Sequence, residues 1–133
     1  PLGLAKIYGN WCGPNWTGGY KKPWDKLSPY EQRETRLDPE RAPKDRLDAC
    51  CETHDKCHAS CRAQYPCDDG MQESCMKICD YTLAACDRNS GIKGPRALAI
   101  EVVMDHVTKP EAEIPKSCNL PDGFSAKDWR MNR

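Results

Sequence analysis

The residues best suited to chemistry in this 133-residue chain sit in one short stretch, Leu47-Asp48-Ala49-Cys50-Cys51-Glu52-Thr53-His54-Asp55-Lys56-Cys57. Read as a helix, it puts Cys50, His54, Cys57 and Cys61 at i, i+4, i+7 and i+11, one face of a 3.6-residue period. His54 then stands between cysteines that can be anchored, which holds its backbone as firmly as a general base requires. Asp55 follows it directly, about 100° around the helix. A second segment brings Asp80, next to Cys79. A carboxylate behind a histidine fixes the tautomer and orientation of the ring. The bland alternative is a partly buried histidine paired with a structural aspartate.

The second chemical feature is Tyr8-Gly9-Asn10-Trp11-Cys12-Gly13-Pro14-Asn15-Trp16-Thr17-Gly18-Gly19-Tyr20. Its glycines and Pro14 exclude a long helix or a central strand. Carbonyls of a Gly-rich turn, joined by one carboxylate, are suitable hard-oxygen ligands for Ca²⁺. A Cys12–Cys51 bridge would pin this loop four residues from Asp55, so that loop carbonyls and that carboxylate converge on one ion. The competing interpretation is an ordinary glycine-rich turn held by a disulfide.

These residues need elements to position them. The pattern predicts a mainly α, disulfide-rich single domain over 1–133. It comprises a loop at 4–20, a surface insertion at 21–44, two antiparallel helices at 45–64 and 71–88, a short helix at 96–107 and a polar tail at 109–133. Pro23, Pro29, Pro39 and Pro43 keep the insertion irregular, with one helical turn expected around 29–36. Tyr65-Pro66 ends the first long helix and Asn89-Ser90-Gly91 the second. Ile100, Val103, Met104 and Val107 give the third an apolar stripe, expected to serve the core rather than a substrate channel. The tail is polar apart from Cys118, Leu120, Phe124 and Trp129.

Facing residues of an antiparallel pair share a constant index sum. Cys50 with Cys86, Cys57 with Cys79 and Cys61 with Cys75 each add to 136, which predicts three bridges in one register. The same register sets His54 opposite Thr82, with Asp80 about half a turn away. Cys51 lies off the main stripe and can reach Cys12, which leaves Cys67 for Cys118.

Composition narrows the function classes. Leu, Ile, Val and Phe number only 17 against 10 Cys, so disulfides must substitute for a thin apolar core. Lys+Arg and Asp+Glu balance at 20 each, which argues against nucleic-acid binding and leaves any membrane contact local. No apolar run approaches the roughly 20 residues of a membrane helix. Pro1-Leu2-Gly3 looks like a protease-cleavage scar, which predicts a piece cut from a longer precursor. A cysteine-zinc site is disfavoured because C-x2-C knuckles are missing. Cys57-x3-Cys61 and Cys75-x3-Cys79 also resemble the twin C-x3-C hairpins of small intermembrane-space chaperones. That likeness leaves six cysteines and the His–Asp pair unexplained.

The Tyr8–Gly13 string, the Asp48-x-Cys50-Cys51-x-x-His54-Asp55-x-Cys57 string and Cys79-Asp80 with Ala84-Ala85-Cys86 together resemble the secreted phospholipase A2 family. The likeness covers 8–19 and 47–86, a little under half of the chain. It implies hydrolysis of the sn-2 ester of glycerophospholipids, with His54 as the base that activates water and Asp80 orienting the ring. It implies Ca²⁺ held by Asp55 and by carbonyls of Trp11 and Gly13. The animal pattern would take the third carbonyl from Asn15. The loop form C-G-x-x-aromatic-S/T-G, closer to the plant secreted enzymes, favours Trp16. The Gly13 amide and the ion would stabilise the oxyanion. The family's bridges at these positions would be Cys12–Cys51, Cys50–Cys86 and Cys57–Cys79.

The chain also departs from that family. Only Leu2, Leu4 and Ile7 precede the loop, so the family's N-terminal channel helix is expected to be either absent or cut away. His58 stands where animal enzymes commonly have tyrosine, so the network around Asp80 is expected to differ. Tyr20, Lys21, Lys22, Trp24, Lys26 and Tyr30 give the insertion aromatics beside lysines, a composition suited either to a lipid surface or to a solvated loop. The expected setting is a secreted monomer in an oxidising compartment, meeting phospholipid membranes or micelles. The alternative is a catalytically silent binding module on the same scaffold. A toxin-like effector domain would also need an immunity or inhibitor partner in its producer.

Overall fold

Four helices carry the chain: α1 (Pro29–Leu37), α2 (Arg46–Gln64), α3 (Asp69–Asn89) and α4 (Pro95–Val102). The computed structural model describes residues 6–118. Leu2 and Leu4 at the start, and Leu120, Phe124 and Trp129 in the tail, lie outside the described residues. Among the described residues, extended structure is confined to the isolated bridges Tyr8–Cys12 and Thr17–Tyr20. The fold is therefore mainly α and disulfide-rich, and none of these helices is long and apolar enough to cross a membrane.

Local signals explain the helix bounds. The Asp45 side chain caps α2 by accepting the Asp48 amide, and Tyr65 closes the helix just before Pro66. Asp68 caps α3 by accepting the Met71 amide, so α3 starts two residues before the expected position 71.

All ten cysteines pair. Cys50–Cys86, Cys57–Cys79 and Cys61–Cys75 form a ladder between α2 and α3, with Cα separations of 5.8, 5.9 and 5.7 Å. These are the three pairs of equal index sum, and their descending order makes the two helices antiparallel. Cys12–Cys51 ties the Gly-rich loop to α2, and Cys67–Cys118 ties the α2–α3 connection to the chain after α4. Five bridges form only where thiols are oxidised, so the chain matures in an oxidising compartment. The apolar core beside them is small: Trp11, Leu47, Leu83, Ala97 and Ile100, with Cys12, Cys50 and Cys51.

Two elements differ from expectation. The 21–44 segment holds a nine-residue helix rather than one turn, because Ser28 and Glu31 close a capping box with Pro29 at the first helical position. It also buries Leu27 and Thr35, so it is built into the domain rather than laid over it. The helix expected over 96–107 stops being α at Val102, and Val103–Val107 winds as a π-turn closed by the Thr108 amide on the Val103 carbonyl at 2.9 Å. A π-turn advances less angle per residue than an α-turn. Ile100 is buried and Met104 half-buried, but Val107 swings off their face and is 64% exposed.

After α4 the chain returns along α3. Lys77 donates to the Thr108 carbonyl, the buried Gln72 amide bonds both ways with the Glu113 backbone, and Cys118 is bonded to Cys67. Residues 108–118 thus form a strap fastened at two heights of α3 and once to the α2–α3 connection.

Candidate active site

The Gly-rich loop is fastened to α2 by a carboxylate as well as by a disulfide. Asp48 is fully buried, and its two oxygens accept the amides of Asn10 at 2.8 Å, Trp11 at 2.8 Å and Lys44 at 3.0 Å. Gly9 passes so close over this group that a Cβ there would stand 2.3 Å from the Asp48 carboxyl carbon, and its φ of +58° lies in the left-handed region. Trp11 fills the space below the loop with no exposure, and its indole N–H donates to the Arg41 carbonyl at 2.9 Å.

The insertion braces the same loop. Arg41 stacks on Tyr20 with its guanidinium carbon 3.9 Å from the ring centroid and donates to the Gly18 carbonyl at 3.0 Å. Trp24 packs against Trp11 at 6.3 Å, and the Lys56 ammonium lies 4.7 Å from the Trp24 ring. Arg62 grips Asp25 with two parallel 2.8 Å bonds and so clamps the turn that carries Trp24 onto α2. Tyr20 and Trp24, expected among the aromatics of a lipid surface, thus have internal partners, whereas Lys21, Lys26 and Tyr30 are exposed.

His54 and Asp80 meet across the helix pair. His54 Nε2 lies 2.7 Å from Asp80 Oδ1, and His58 Nε2 lies 2.8 Å from the same oxygen. Asp80 is fully buried. Burial pushes its carboxyl up, but the two imidazoles outweigh that and hold it below the usual carboxylate range. An ionised carboxylate only accepts, so both Nε2 atoms donate and both Nδ1 atoms carry the lone pair. Thr82, level with His54 by index sum, turns outward and bonds the Ile78 carbonyl. An index sum gives height along the axis. It does not give azimuth: Asp80, about 100° around α3 from the bridged Cys79, is the residue that reaches His54 and His58.

The other edge of the His54 ring faces Asp55, with Nδ1 3.9 Å from Asp55 Oδ1. Burial lowers the basicity of His54, while the Asp55 and Asp80 carboxylates more than offset it and leave the ring above its ordinary value. Burial pushes the Asp55 carboxyl up to about 7. For His58, burial dominates and lowers the imidazole.

A cavity of about 330 Å³ opens on this pair. His54, Asp55, His58 and Asp80 line it with Trp11, Gly13 and Asn15 of the loop; Ile7, Leu83, Ile100, Val103 and Met104 supply an apolar wall. The Ile100/Val103/Met104 stripe, expected to be core, therefore serves the core through Ile100 and the cavity through all three. Of the residues expected to act on an ion, Trp11, Gly13 and Asp55 share the cavity; Trp16 is not in its lining and Asn15 is. The donor set suits Ca²⁺: one carboxylate and backbone carbonyls, all hard oxygens. Asp55 Oδ2 is buried without a hydrogen-bond partner, an acceptor that a cation would satisfy.

Two contributors escaped sequence reasoning. Asp48 reads as an ordinary acid in the first turn of a helix. The role of Arg62 depends on a distant turn. His58, singled out in the sequence as a departure beside Asp80, does join the Asp80 network. The chain matches no family model, no curated protein and no solved structure.

Proposed function

We propose that this chain is a secreted, Ca²⁺-dependent ester hydrolase of the phospholipase A2 type, acting at the sn-2 position of glycerophospholipids. The observation that carries the proposal is the two-sided setting of His54 in the cavity lining: Nε2 bonded to Asp80 at 2.7 Å, and Nδ1 facing Asp55 at 3.9 Å. Asp80 keeps the proton on Nε2, so Nδ1 is the basic nitrogen. His54 takes a proton from a water in the cavity as that water attacks the ester carbonyl, and Asp80 stabilises the resulting imidazolium.

Asp55, with the Trp11 and Gly13 carbonyls and a third from Asn15 or Trp16, would hold the Ca²⁺. When bound, that ion supplies Lewis-acid polarisation of the ester carbonyl and charge against its oxyanion. The Gly13 amide donates to the same oxyanion. The apolar wall takes an acyl chain.

The test is hydrolysis of mixed-acyl phosphatidylcholine vesicles, with products identified by mass spectrometry, in Ca²⁺ and in chelator. Release of the sn-2 acid with Ca²⁺ alone is expected. No fatty acid release with Ca²⁺ present would sink the proposal and leave the scaffold as a binding module.

A further inference from the structure

His54 and His58 are spaced i, i+4 on α2, their ring centroids 4.3 Å apart, and both direct Nε2 at one oxygen of Asp80 on α3. The three ligand atoms lie within 4.8 Å of one another. The second oxygen, Asp80 Oδ2, is buried with no hydrogen-bond partner. Two imidazole nitrogens and a carboxylate form a three-ligand set that Zn²⁺ accepts, with a water completing the tetrahedron. The nearby cysteine sulfurs of 57, 61 and 79 offer no thiolate, because each is bonded in a disulfide.

We propose that His54, His58 and Asp80 form a zinc site that switches the hydrolytic centre off. Zinc bonds near 2.0–2.2 Å imply about 3.3 Å between ligand atoms in a tetrahedron. The observed 2.7 and 2.8 Å separations therefore need to open by about half an ångström. Both histidines line the cavity and are partly exposed, so the ion has a route in. Each Nε2 gives up its proton to bind zinc, and the neutral ring takes a proton at Nδ1 instead. That exchange fills the nitrogen that would accept the proton of water. Asp55, the carboxylate proposed to hold Ca²⁺, faces the other edge of the His54 ring, so the two ions share no ligand.

The binding step stands without the hydrolytic function; the inhibition rests on it. Co²⁺ serves as the visible probe, titrated into the disulfide-intact protein with Ca²⁺ in large excess. Four-coordinate d–d bands are expected, displaced by Zn²⁺, with affinity weakened at least about tenfold in His58→Gln. His58→Tyr, which can still donate to Asp80, is expected to show the same loss, and its melting curve separates lost ligation from lost folding. Absent bands, bands that Ca²⁺ titrates away, or unchanged affinity in both folded variants would overturn the site. In the vesicle assay, Zn²⁺ is expected to lower kcat with a half-inhibiting concentration that raising Ca²⁺ does not move. Relief by Ca²⁺ would overturn the inhibition. Lack of any hydrolysis would sink the hydrolase proposal alone, leaving the Co²⁺ titration to decide the site.

Discussion

The Trp11 amide donates to the buried Asp48 carboxylate at 2.8 Å, so the loop entrance is bolted to α2 one turn before the Cys12–Cys51 bridge. Asp48→Ala strands three amides at once, those of Asn10, Trp11 and Lys44. The expected loss is about 2–5 kcal/mol of stability, with the other bridges holding the helices together. Gly9→Ala should reproduce it by pushing the same carboxylate away, at a φ that disfavours alanine. Thermal melts and Ca²⁺-dependent hydrolysis check both. Half-maximal Ca²⁺ unchanged in both variants would show that Asp48 does not shape the ion site.

His54→Gln removes the proposed base but leaves a polar group able to donate toward Asp80. A fall in kcat of about 10²–10⁴-fold is expected, with vesicle binding and the melting midpoint held near those of the parent. Asp55→Asn trades a carboxylate for a neutral amide and is expected to remove Ca²⁺ binding by calorimetry together with turnover. Turnover at parental rate in His54→Gln would reassign the base.

Much of this architecture was legible in the cysteines. Their spacing on two helices fixes an antiparallel register, and a register is a strong constraint because one bridge in place dictates the next. What was hidden depends on contacts between segments far apart in the chain. Asp48 looks like any first-turn acid until Asn10 and Trp11 lie over it. The Arg62–Asp25 clamp joins residues 37 positions apart. The π-turn at 103–107 is hidden for another reason: an apolar stripe at 100, 103, 104 and 107 reads as α, and a one-residue change in hydrogen-bond partner moves Val107 out of it.

Asp87 gives a stability handle away from the His54–Asp80 pair. It is buried on α3, its Oδ2 has no hydrogen-bond partner, and burial with Glu101 nearby raises its carboxyl to about 6. The raised folded value means the protonated form fits the fold better. Its contribution is therefore fully present below the unfolded value near 3.8 and is lost as pH rises through about 6. Asp87→Asn should be more stable than the parent by about 1–3 kcal/mol at pH 7.5, with the gap closing at pH 3.5. Melts across this range test it, and a pH-independent gap would assign the carboxyl an ordinary value.

The two outlying bridges should separate stability from chemistry. Neither Cys67 nor Cys118 lines the cavity; their bridge fastens the 108–118 strap, which Gln72 and Lys77 also hold. Cys67→Ser with Cys118→Ser is expected to cost about 2–4 kcal/mol while hydrolysis per folded molecule persists. Cys12 and Cys51 do line the cavity, and their bridge holds the loop beside Asp55. Replacing both by serine should weaken half-maximal Ca²⁺ at least about tenfold at temperatures where the helices remain intact by circular dichroism. Asp48 grips the same loop from the same helix, so the bridge and the carboxylate should not act independently. Adding Asp48→Asn to the bridge-less protein should cost more than it does in the parent, because each anchor covers part of the other's loss. Strict additivity in half-maximal Ca²⁺ would mean that the two anchors hold separate parts of the loop.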